Sequence, residues 1–255
     1  MIRRPPRSTP KPSSAASDVY KRQVEGDISQ PNTISQQLQE CDVIIHTAAL
    51  VSNAMQDSDM WQVNVLATRN LIQAAKEHKV RRFVQISSIV AYGNSAEGEL
   101  DETHPVHADG GSYVLTKLAS EHVVLSEQAK DDIEVVIIRP GDAYGPGSRP
   151  WIIAPLEAIA KNQFMLPEKG EGFFRPIYID DLVRGIAMAS KHPDADGEIF
   201  NLSCEGYMFT KDYFTPHYRW LGKKRPVVVS TKLALKISAI ASKLANLSYA
   251  SSIER

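Results

Sequence analysis

A tyrosine and a lysine stand four residues apart in the stretch "GGSYVLTKLAS", at positions 113 and 117. On a helix, residues i and i+4 share a face, so we expect the Tyr113 phenol and the Lys117 ammonium to project toward one point. A phenol has a pKa of about 10 and is a poor base at neutral pH, but a nearby ammonium favours the phenolate and lowers that pKa. The pair could therefore exchange a proton with an alcohol or a ketone.

Such chemistry also needs a group that orients the substrate oxygen, and Ser88 could supply it. Ser88 ends the apolar run "RRFVQISS" and precedes Tyr113 in the chain. A tyrosine and a lysine at this spacing occur by chance in many helices, so the pair alone is weak support for a catalytic site. The elements around it decide how it is interpreted.

From Val24 onward, the apolar pattern predicts strands that alternate with helices. The predicted strands are 23–27, 41–49, 81–88, 133–140, "PIYI" (176–179) and 198–203, and the predicted helices are 33–40, 59–78, 112–130, 151–161 and 180–190. This alternation is typical of the α/β class, in which a doubly wound parallel sheet carries helices on both faces. Ligands of such sheets lie beyond the carboxyl ends of the strands, where "HTAA", Ser88 and "RPGDAYGPG" stand.

Composition excludes several other classes of function. The chain has 255 residues and a net charge of −1, which favours neither a nucleic-acid nor an anionic-membrane partner. Cys41 and Cys204 match no zinc or redox spacing and the histidines no metal motif, so we expect no metal and a reduced, cytoplasmic setting. No apolar run reaches the roughly 18 residues of a membrane span, and residues 231–247 read as an amphipathic surface helix.

Five ordered motifs together resemble the extended short-chain dehydrogenase/reductase superfamily, which includes nucleotide-sugar epimerases and dehydratases and the 3β-hydroxysteroid dehydrogenases. They are "VIIHTAA" (43–49), "NVLATRNLIQAA" (64–75), "ISSIVAYG" (86–93), "YVLTK" (113–117) and "RPGDAYGPG" (139–147), and "VEGD" (24–27) and "IYIDDLVRGIAMA" (177–189) add weaker matches. The resemblance implies a Rossmann-like sheet and an enzyme that transfers a hydride between NAD or NADP and a secondary alcohol or ketone.

The resemblance also implies the roles of individual residues. Tyr113 would transfer the proton, Ser88 would hold the substrate oxygen, and Lys117 would bind the nicotinamide ribose and tune Tyr113. Asp27 would contact the adenine. The full set of implied cofactor-binding residues is Asp27, Ile28, Thr47, Ala48, Ala49, Asn64, Ser87, Lys117, Pro140 and Gly141.

The glycine-rich turn of this superfamily does not precede "VEGD" in the sequence. We therefore expect a Rossmann-like domain over 24–203 that lacks its first βαβ portion and binds NAD(P) weakly or not at all as written. Its "DVIIHTAA" strand would then form an apolar edge of the sheet. Residues 1–23 are basic and proline-rich, and we expect a disordered tail that is not native to the gene; a genuine basic tail is the alternative. A small C-terminal substrate lobe would combine 144–175 with 204–255.

The substrate is less well specified. Related nucleotide-sugar epimerases tend to carry asparagine where Asp142 stands and arginine where Phe174 stands, although Arg175 is adjacent. Phe173 and Phe174 could wall an apolar pocket, or both could be core residues. These features favour a 3β-hydroxysteroid dehydrogenase-like activity on a small molecule over a nucleotide-sugar epimerase or dehydratase. A non-catalytic dinucleotide-binding protein or an inactive fragment remains an alternative of another class, and a homodimer is compatible with the sequence.

Overall fold

The computed structural model describes residues 23–30, 33–51, 57–93, 98–130 and 132–237. The predicted tail lies outside these ranges except for Gln23, and so do the last residues of the predicted helix 231–247. The strands are β1 Val43–His46, β2 Arg82–Ile86, β3 Glu134–Pro140, β4 Asp142–Tyr144, β5 Phe173–Phe174, β6 Pro176–Tyr178, β7 Ile199–Leu202 and β8 Met208–Phe209.

Seven α-helices alternate with these strands in the described residues: α1 Ser35–Leu38, α2 Asp57–Trp61, α3 Ala67–Glu77, α4 Ser112–Gln128, α5 Ala154–Ala160, α6 Ile179–Ala189 and α7 Thr210–Trp220. Two π-helical turns, Gln62–Leu66 and Arg149–Ile153, lead into α3 and α5. Short 3₁₀ segments lie at Ile89–Tyr92, Glu168–Gly170 and Pro193–Ala195.

Four strands form a parallel sheet in the order β1-β2-β3-β7. The strands β2 and β3 are buried on both faces, as expected of central parallel strands. Successive side chains of β3 alternate between two cores: Val135 and Ile137 pack with residues of α3 and α4, whereas Val136 and Ile138 pack with residues of α6. Helices therefore cover both faces, and the predicted doubly wound α/β fold is confirmed.

The strand β1 pairs only with β2 among the described strands and forms one edge of this sheet. Ile45 on β1 is 44% exposed, although it belongs to a continuous apolar run. This agrees with the expected apolar edge, whose unpaired backbone groups are open to further pairing.

The predicted strand at 23–27 is wrong. Residues 23–27 are irregular and lead into a turn at 28–30, so the predicted adenine contact Asp27 and its neighbour Ile28 lie outside any strand. A β-strand needs a ladder partner to satisfy its backbone groups, and no described strand pairs with this segment. Asp27 instead closes the turn, because its carboxylate accepts hydrogen bonds from the backbone N–H and the hydroxyl of Ser29.

A second, smaller core lies beyond the carboxyl ends of the main sheet. Leu166, Phe174, Tyr213 and Phe214 are buried there, with Tyr144, Trp151 and Phe164 packed against them. This cluster thus combines residues that precede β6 in the sequence with residues that follow β7. Two short strand pairs, the parallel β4–β6 and the antiparallel β5–β8, accompany it. No helix in the described ranges is long and apolar enough to cross a bilayer.

Candidate active site

The carboxyl ends of β1, β2 and β3 meet at one edge of the sheet because the three strands are parallel and adjacent. Each end runs directly into residues predicted to bind the cofactor. Thr47, Ala48 and Ala49 follow β1, Ser87 and Ser88 follow β2, and Gly141 follows Pro140, the last residue of β3. The topology therefore gathers these predicted residues along one edge.

The structure brings Ser88, Tyr113 and Lys117 together. Tyr113 lies in the first turn of α4 and Lys117 one turn later, with the Lys117 Nζ 5.9 Å from the centre of the Tyr113 ring. The Ser88 hydroxyl lies near enough to the Tyr113 phenol to lower its pKa. Lys117 Nζ also donates a 2.9 Å hydrogen bond to the carbonyl oxygen of Ile86, the last residue of β2. The three side chains predicted to be catalytic thus converge on the end of β2.

Burial shifts the pKa of both ionisable members of this triad. It raises the pKa of Tyr113 above its ordinary value, and the nearby Ser88 hydroxyl opposes that rise only in part. It lowers the pKa of Lys117 to about 8, against the opposing effect of the Glu121 carboxylate. The expected lowering of the Tyr113 pKa is therefore not present in this structure, since desolvation of the phenol exceeds the stabilisation of its anion.

Asn64 connects the segment after β1 to the helix α4 through hydrogen bonds. Its side-chain Oδ1 accepts a 2.7 Å hydrogen bond from the N–H of Leu50, and its Nδ2 donates to the Leu50 carbonyl at 3.0 Å. The same Nδ2 donates a 3.1 Å hydrogen bond to Oγ1 of Thr116, which lies between the predicted catalytic residues Tyr113 and Lys117 on α4. Asn64 is 2% exposed and fully engaged, so it fixes the segment after β1 to α4. Any effect on a cofactor would pass through that segment.

Ser87 presents a buried hydroxyl with hydrogen-bonding capacity for a cofactor. Its Oγ is buried without a hydrogen-bond partner in the described part of the chain, although such atoms are normally satisfied. The Lys117 ammonium has three N–H donors, of which the Ile86 carbonyl takes one. These two side chains therefore keep free hydrogen-bonding capacity at the strand edge where the ribose of a dinucleotide is expected.

His46 was not singled out by its sequence, yet it lies in the same buried layer. Its Nε2 is 2.9 Å from Oγ1 of Thr68, and that hydroxyl donates to the carbonyl oxygen of Asn64. A hydroxyl has one proton, so Thr68 must accept from Nε2–H and the neutral ring carries its proton there. Burial, together with the positive charge of Lys117, lowers the pKa of His46 to about 4. His46 and Lys117 are distant in the sequence, so their proximity becomes visible only in the folded chain.

Gly141 and Asp142 connect the main sheet to the smaller core. A side chain at Gly141 would collide with the carbonyl oxygen of Arg175, so glycine is required there by backbone packing. The Asp142 carboxylate accepts a hydrogen bond of 3.2 Å from the backbone N–H of Arg175. Burial raises the pKa of Asp142 to about 6.

The predicted substrate residues Phe173 and Phe174 point in opposite directions, as successive strand residues do. Phe174 is 3% exposed and packs in the smaller core, so its prediction as a pocket wall is wrong. Phe173 is 68% exposed. Its ring lies 4.9 Å from that of Tyr207 and 5.8 Å from that of Phe209, between centroids. We call these three rings the aromatic platform.

A cavity of about 570 Å³ begins next to Ser88, at Ile89. This volume is in the range of small-molecule sites. The platform residue Phe173 lines it, and so do Tyr92, Glu99, Arg175, Asn201 and Cys204. The Arg175 guanidinium hydrogen-bonds the Gly206 carbonyl and lies over the Tyr207 ring. The cavity thus joins the strand edge to the aromatic platform.

A larger cavity of about 830 Å³ lies elsewhere, between Arg81 and Glu134 on one side and Lys76 and Asp132 on the other. Arg81 and Ile133 precede β2 and β3, so this cavity is at the amino ends of the strands. Parallel sheets bind ligands at the opposite ends. Of these two cavities the smaller one is therefore the candidate substrate site, next to Ser88 in the chain; Ser88, Tyr113 and Lys117 are not themselves among its lining residues.

The sequence matches the model of a known protein family. The sequence model of the NAD dependent epimerase/dehydratase family matches residues 2–203. The chain belongs to this family. The superfamily resemblance, with its NAD-dependent enzymes, is thereby confirmed.

Relatives of this family member catalyse several reactions. It is 28% identical over 205 residues to a decarboxylating sterol-4-alpha-carboxylate 3-dehydrogenase of Candida albicans, covering 77% of this chain and 57% of that protein. It is 28% identical over 186 residues to a 3 beta-hydroxysteroid dehydrogenase/Delta 5-->4-isomerase of Mycobacterium tuberculosis, covering 68% and 50%. The chain spans about half the length of these curated relatives.

Solved structures of the family share its fold. The UDP-glucuronic acid 4-epimerase of Bacillus cereus, in complex with NAD, matches with a TM-score of 0.72 and 25% identity, covering 80% of this chain and 68% of that one. Family membership therefore accommodates both the steroid dehydrogenase and the nucleotide-sugar interpretations of the sequence.

Proposed function

We propose that the protein is an NAD-dependent oxidoreductase that transfers a hydride at a secondary alcohol or ketone. The observation that carries this proposal is the convergence of Ser88, Tyr113 and Lys117 at the end of β2. Positioning these groups beside the reacting carbon is the main source of rate enhancement expected from such a site.

Tyr113 is the proton donor in this proposal. Its raised pKa keeps the phenol protonated at neutral pH, which suits donation of the proton to a ketone oxygen as that oxygen gains negative charge. The Ser88 hydroxyl lies near the phenol and would orient the same oxygen. In the reverse direction the phenolate must accept a proton from the alcohol, and the Lys117 ammonium stabilises that anion.

Lys117 and Ser87 are the residues that fit the nicotinamide ribose, because both retain hydrogen-bonding capacity where the strand edge exposes it. When bound, NAD supplies the hydride acceptor, and NADH the hydride donor. Thr47, Ala48, Ala49, Pro140 and Gly141 would border the cofactor through backbone and small side chains. Asp27 and Ile28 remain predictions for the adenine end.

The proposed substrate is apolar, as in the 3β-hydroxysteroid dehydrogenase-like branch. An exposed cluster of three aromatic rings at the edge of a cavity favours a flat apolar ligand, since such rings contribute large contact areas. The half-buried Asp142 carboxylate disfavours a diphosphate nearby. A nucleotide sugar is the second candidate, and the Arg175 guanidinium in the cavity wall is what favours it.

Turnover of the purified chain tests the hydride transfer. NADH oxidation would be followed with a 3-ketosteroid and NAD reduction with a 3β-hydroxysteroid. Conversion of UDP-glucose would be followed by chromatography of the sugar nucleotide, because an epimerase or dehydratase returns the hydride to its substrate and accumulates no NADH. Tyr113→Phe is expected to lower the rate by about 100-fold or more while the Kd for NADH, measured by fluorescence, stays unchanged. Turnover that survives Tyr113→Phe would contradict the proposed role. Cofactor binding without turnover would favour a non-catalytic dinucleotide-binding protein.

Substrate choice is tested by two further variants. Phe173→Ser should raise the KM for the steroid and leave that for UDP-glucose unchanged, because it removes the central ring of the platform. Arg175→Met should act in the opposite sense if nucleotide sugars bind. Activity on UDP-glucose alone would overturn the apolar-substrate proposal.

We also propose that the protein acts in the cytoplasm and forms a homodimer. Cys41 and Cys204 are both free thiols at exposed positions, which suits a reducing compartment. The indole of Trp61 and the side chain of Leu66 are more than two-fifths exposed on neighbouring turns, which offers apolar surface for a second copy. Light scattering of the purified chain measures its mass in solution, and a monomeric mass would contradict the dimer.

A further inference from the structure

A second pair of charges lies directly behind the catalytic lysine. Glu121 is one helical turn after Lys117 on α4, and it is 2% exposed. Its carboxylate receives two hydrogen bonds from Arg139 of β3, at 3.0 Å from Nε and 2.7 Å from NH2. Arg139 is also 2% exposed. This pair is therefore bidentate and almost completely removed from solvent.

The guanidinium extends this network to the cavity wall. NH1 of Arg139 donates a 3.0 Å hydrogen bond to the Tyr92 hydroxyl, and the guanidinium lies 4.8 Å from the centre of the same ring. The Tyr92 hydroxyl is also 3.0 Å from Oδ1 of Asn201, and both residues line the cavity. Tyr92 ends the 3₁₀ segment whose first N–H groups are capped by Ser88.

Two buried charges are costly, and their mutual attraction seldom makes the pair better than apolar side chains of the same size. Stability alone is thus a weak reason for this pair. Its location suggests another reason. Glu121 is the group whose negative charge acts on Lys117 to raise a pKa that burial lowers.

We propose that Glu121 is a positioning residue for the reaction, which keeps Lys117 in the charged form that binds ribose and stabilises the Tyr113 phenolate. Arg139 and Tyr92 would hold the Glu121 carboxylate in place and join it to the substrate cavity. The role in the reaction rests on the proposed function, whereas the effect on the charge of Lys117 does not.

The titratable groups that face Lys117 come from three elements in the described ranges. Tyr113 and Glu121 share α4 with it. His46 approaches from β1 and is uncharged at neutral pH, because its pKa is about 4. Arg139 approaches from β3 and is bound to Glu121. Glu121 is thus the anion among these groups, and its removal should make Lys117 lose its proton at lower pH.

The test compares Glu121→Gln with Glu127→Gln. Glu127 lies on the same helix, is 5% exposed and is also paired with cations, Lys76 and Lys130, but it is six residues farther along α4. The titration of Lys117 would be followed by NMR of ¹³C-labelled lysine side chains between pH 6 and 10, with Lys117→Arg used for assignment. Glu121→Gln should shift the midpoint to lower pH by about one unit, and Glu127→Gln should not shift it.

The pH–rate profiles of the same two variants are also measured. The alkaline limb should shift to lower pH, together with the Lys117 titration midpoint, in Glu121→Gln but not in Glu127→Gln. Glu121→Asp keeps the negative charge and should restore most of both values. If Glu121→Gln does not fold, the double variant Glu121→Gln/Arg139→Gln leaves no unpaired buried charge. It should shift the midpoint in the same direction but by less, because it also removes the Arg139 cation.

An unchanged Lys117 midpoint in the folded Gln variants would overturn the proposal and leave Glu121 a structural residue. Failure of the proposed function is a different result, because absent turnover would not alter the NMR titration. A shifted midpoint with an unshifted alkaline limb would separate the charge of Lys117 from the reaction and overturn the positioning role.

Discussion

Protonation of His46 should weaken the fold, because the imidazole is held neutral in a desolvated position. The ring is 4% exposed, and burial lowers its pKa to about 4 from the ordinary 6.5. The unfolded chain therefore binds a proton that the folded chain excludes between these two pH values. Stability must rise with pH across this window and fall as the pH is lowered through it. At full extent the effect is about 3 kcal/mol.

The perturbation is His46→Phe, which keeps a ring against Phe83 and removes the titrating group. Thr68 retains its hydrogen bond to the Asn64 carbonyl, so the variant leaves that hydroxyl satisfied. The free energy of unfolding would be measured in urea by tryptophan fluorescence at pH 4.5, 5.5, 6.5 and 7.5. The difference between wild type and variant cancels the contributions of the other titrating groups.

This difference in the free energy of unfolding should be constant above pH 7. At pH 4.5 the wild type should have lost about 2.5 kcal/mol of stability relative to His46→Phe. Thr68→Val is the control, because it removes the hydrogen-bond acceptor but keeps the ring, and it should therefore retain the pH dependence of the wild type. A difference between wild type and His46→Phe that stays flat across the range would refute the reasoning, since it would mean that the folded protein accepts the proton on His46.

Three further substitutions test other parts of the site. Asp142→Asn should stabilise the fold more at pH 8 than at pH 4 in the same urea assay, because the raised pKa of Asp142 means that its charged form is unfavourable in the folded state. Gly141→Ala should cost about 2 kcal/mol in that assay, since the added methyl group collides with the Arg175 carbonyl; an unchanged midpoint would contradict the close packing. Phe174→Ala should cost about 4 kcal/mol as a core truncation, whereas Phe173→Ala should cost about 0.5 kcal/mol or less. Equal losses for the two phenylalanines would contradict their opposite orientations.

The alternation of strands and helices was predictable from the sequence because it depends on local apolar patterns. The run that became β3 is buried on both faces, as its four successive apolar residues at 135–138 indicated. The segment 23–27 was also predicted as a strand, but it has only one apolar side chain, Val24, and a strand also requires a neighbour with which to share hydrogen bonds. That condition is set by the rest of the chain, which a local pattern does not contain.

The face of a helix is also predictable only while its turns stay regular. At helical spacing, Trp61, Val65 and Ile72 would lie on one apolar stripe of the helix predicted over 59–78, yet Trp61 is 41% exposed while the other two are buried. The π-helical turn Gln62–Leu66 lies between Trp61 and α3. Its wider turn rotates Trp61 out of the stripe, and no residue type in the sequence marks such a turn.

The proximity of Tyr113 and Lys117, two of the three proposed catalytic residues, was predictable because their spacing places them on one helical face. The buried layer beneath them was not singled out, although the charged Arg139 in an otherwise apolar strand was a signal that a partner must exist. That partner, Glu121, follows Lys117 by four residues, which is the same spacing that joins Tyr113 to Lys117. The repeated spacing places Tyr113, Lys117 and Glu121 on one face of α4.

Burial shifts the pKa values of the two proposed catalytic residues of α4 in opposite directions, since it raises the pKa of Tyr113 and lowers that of Lys117. Both shifts oppose the phenolate–ammonium pair on which the reaction depends in the oxidative direction. Proximity of the two residues therefore does not activate the phenol by itself. A fixed negative charge next to the lysine offsets one of the two shifts, and an ammonium that stays charged then stabilises the phenolate. Glu121 is placed to provide that charge, and its bidentate contact with Arg139 fixes its carboxylate in the interior.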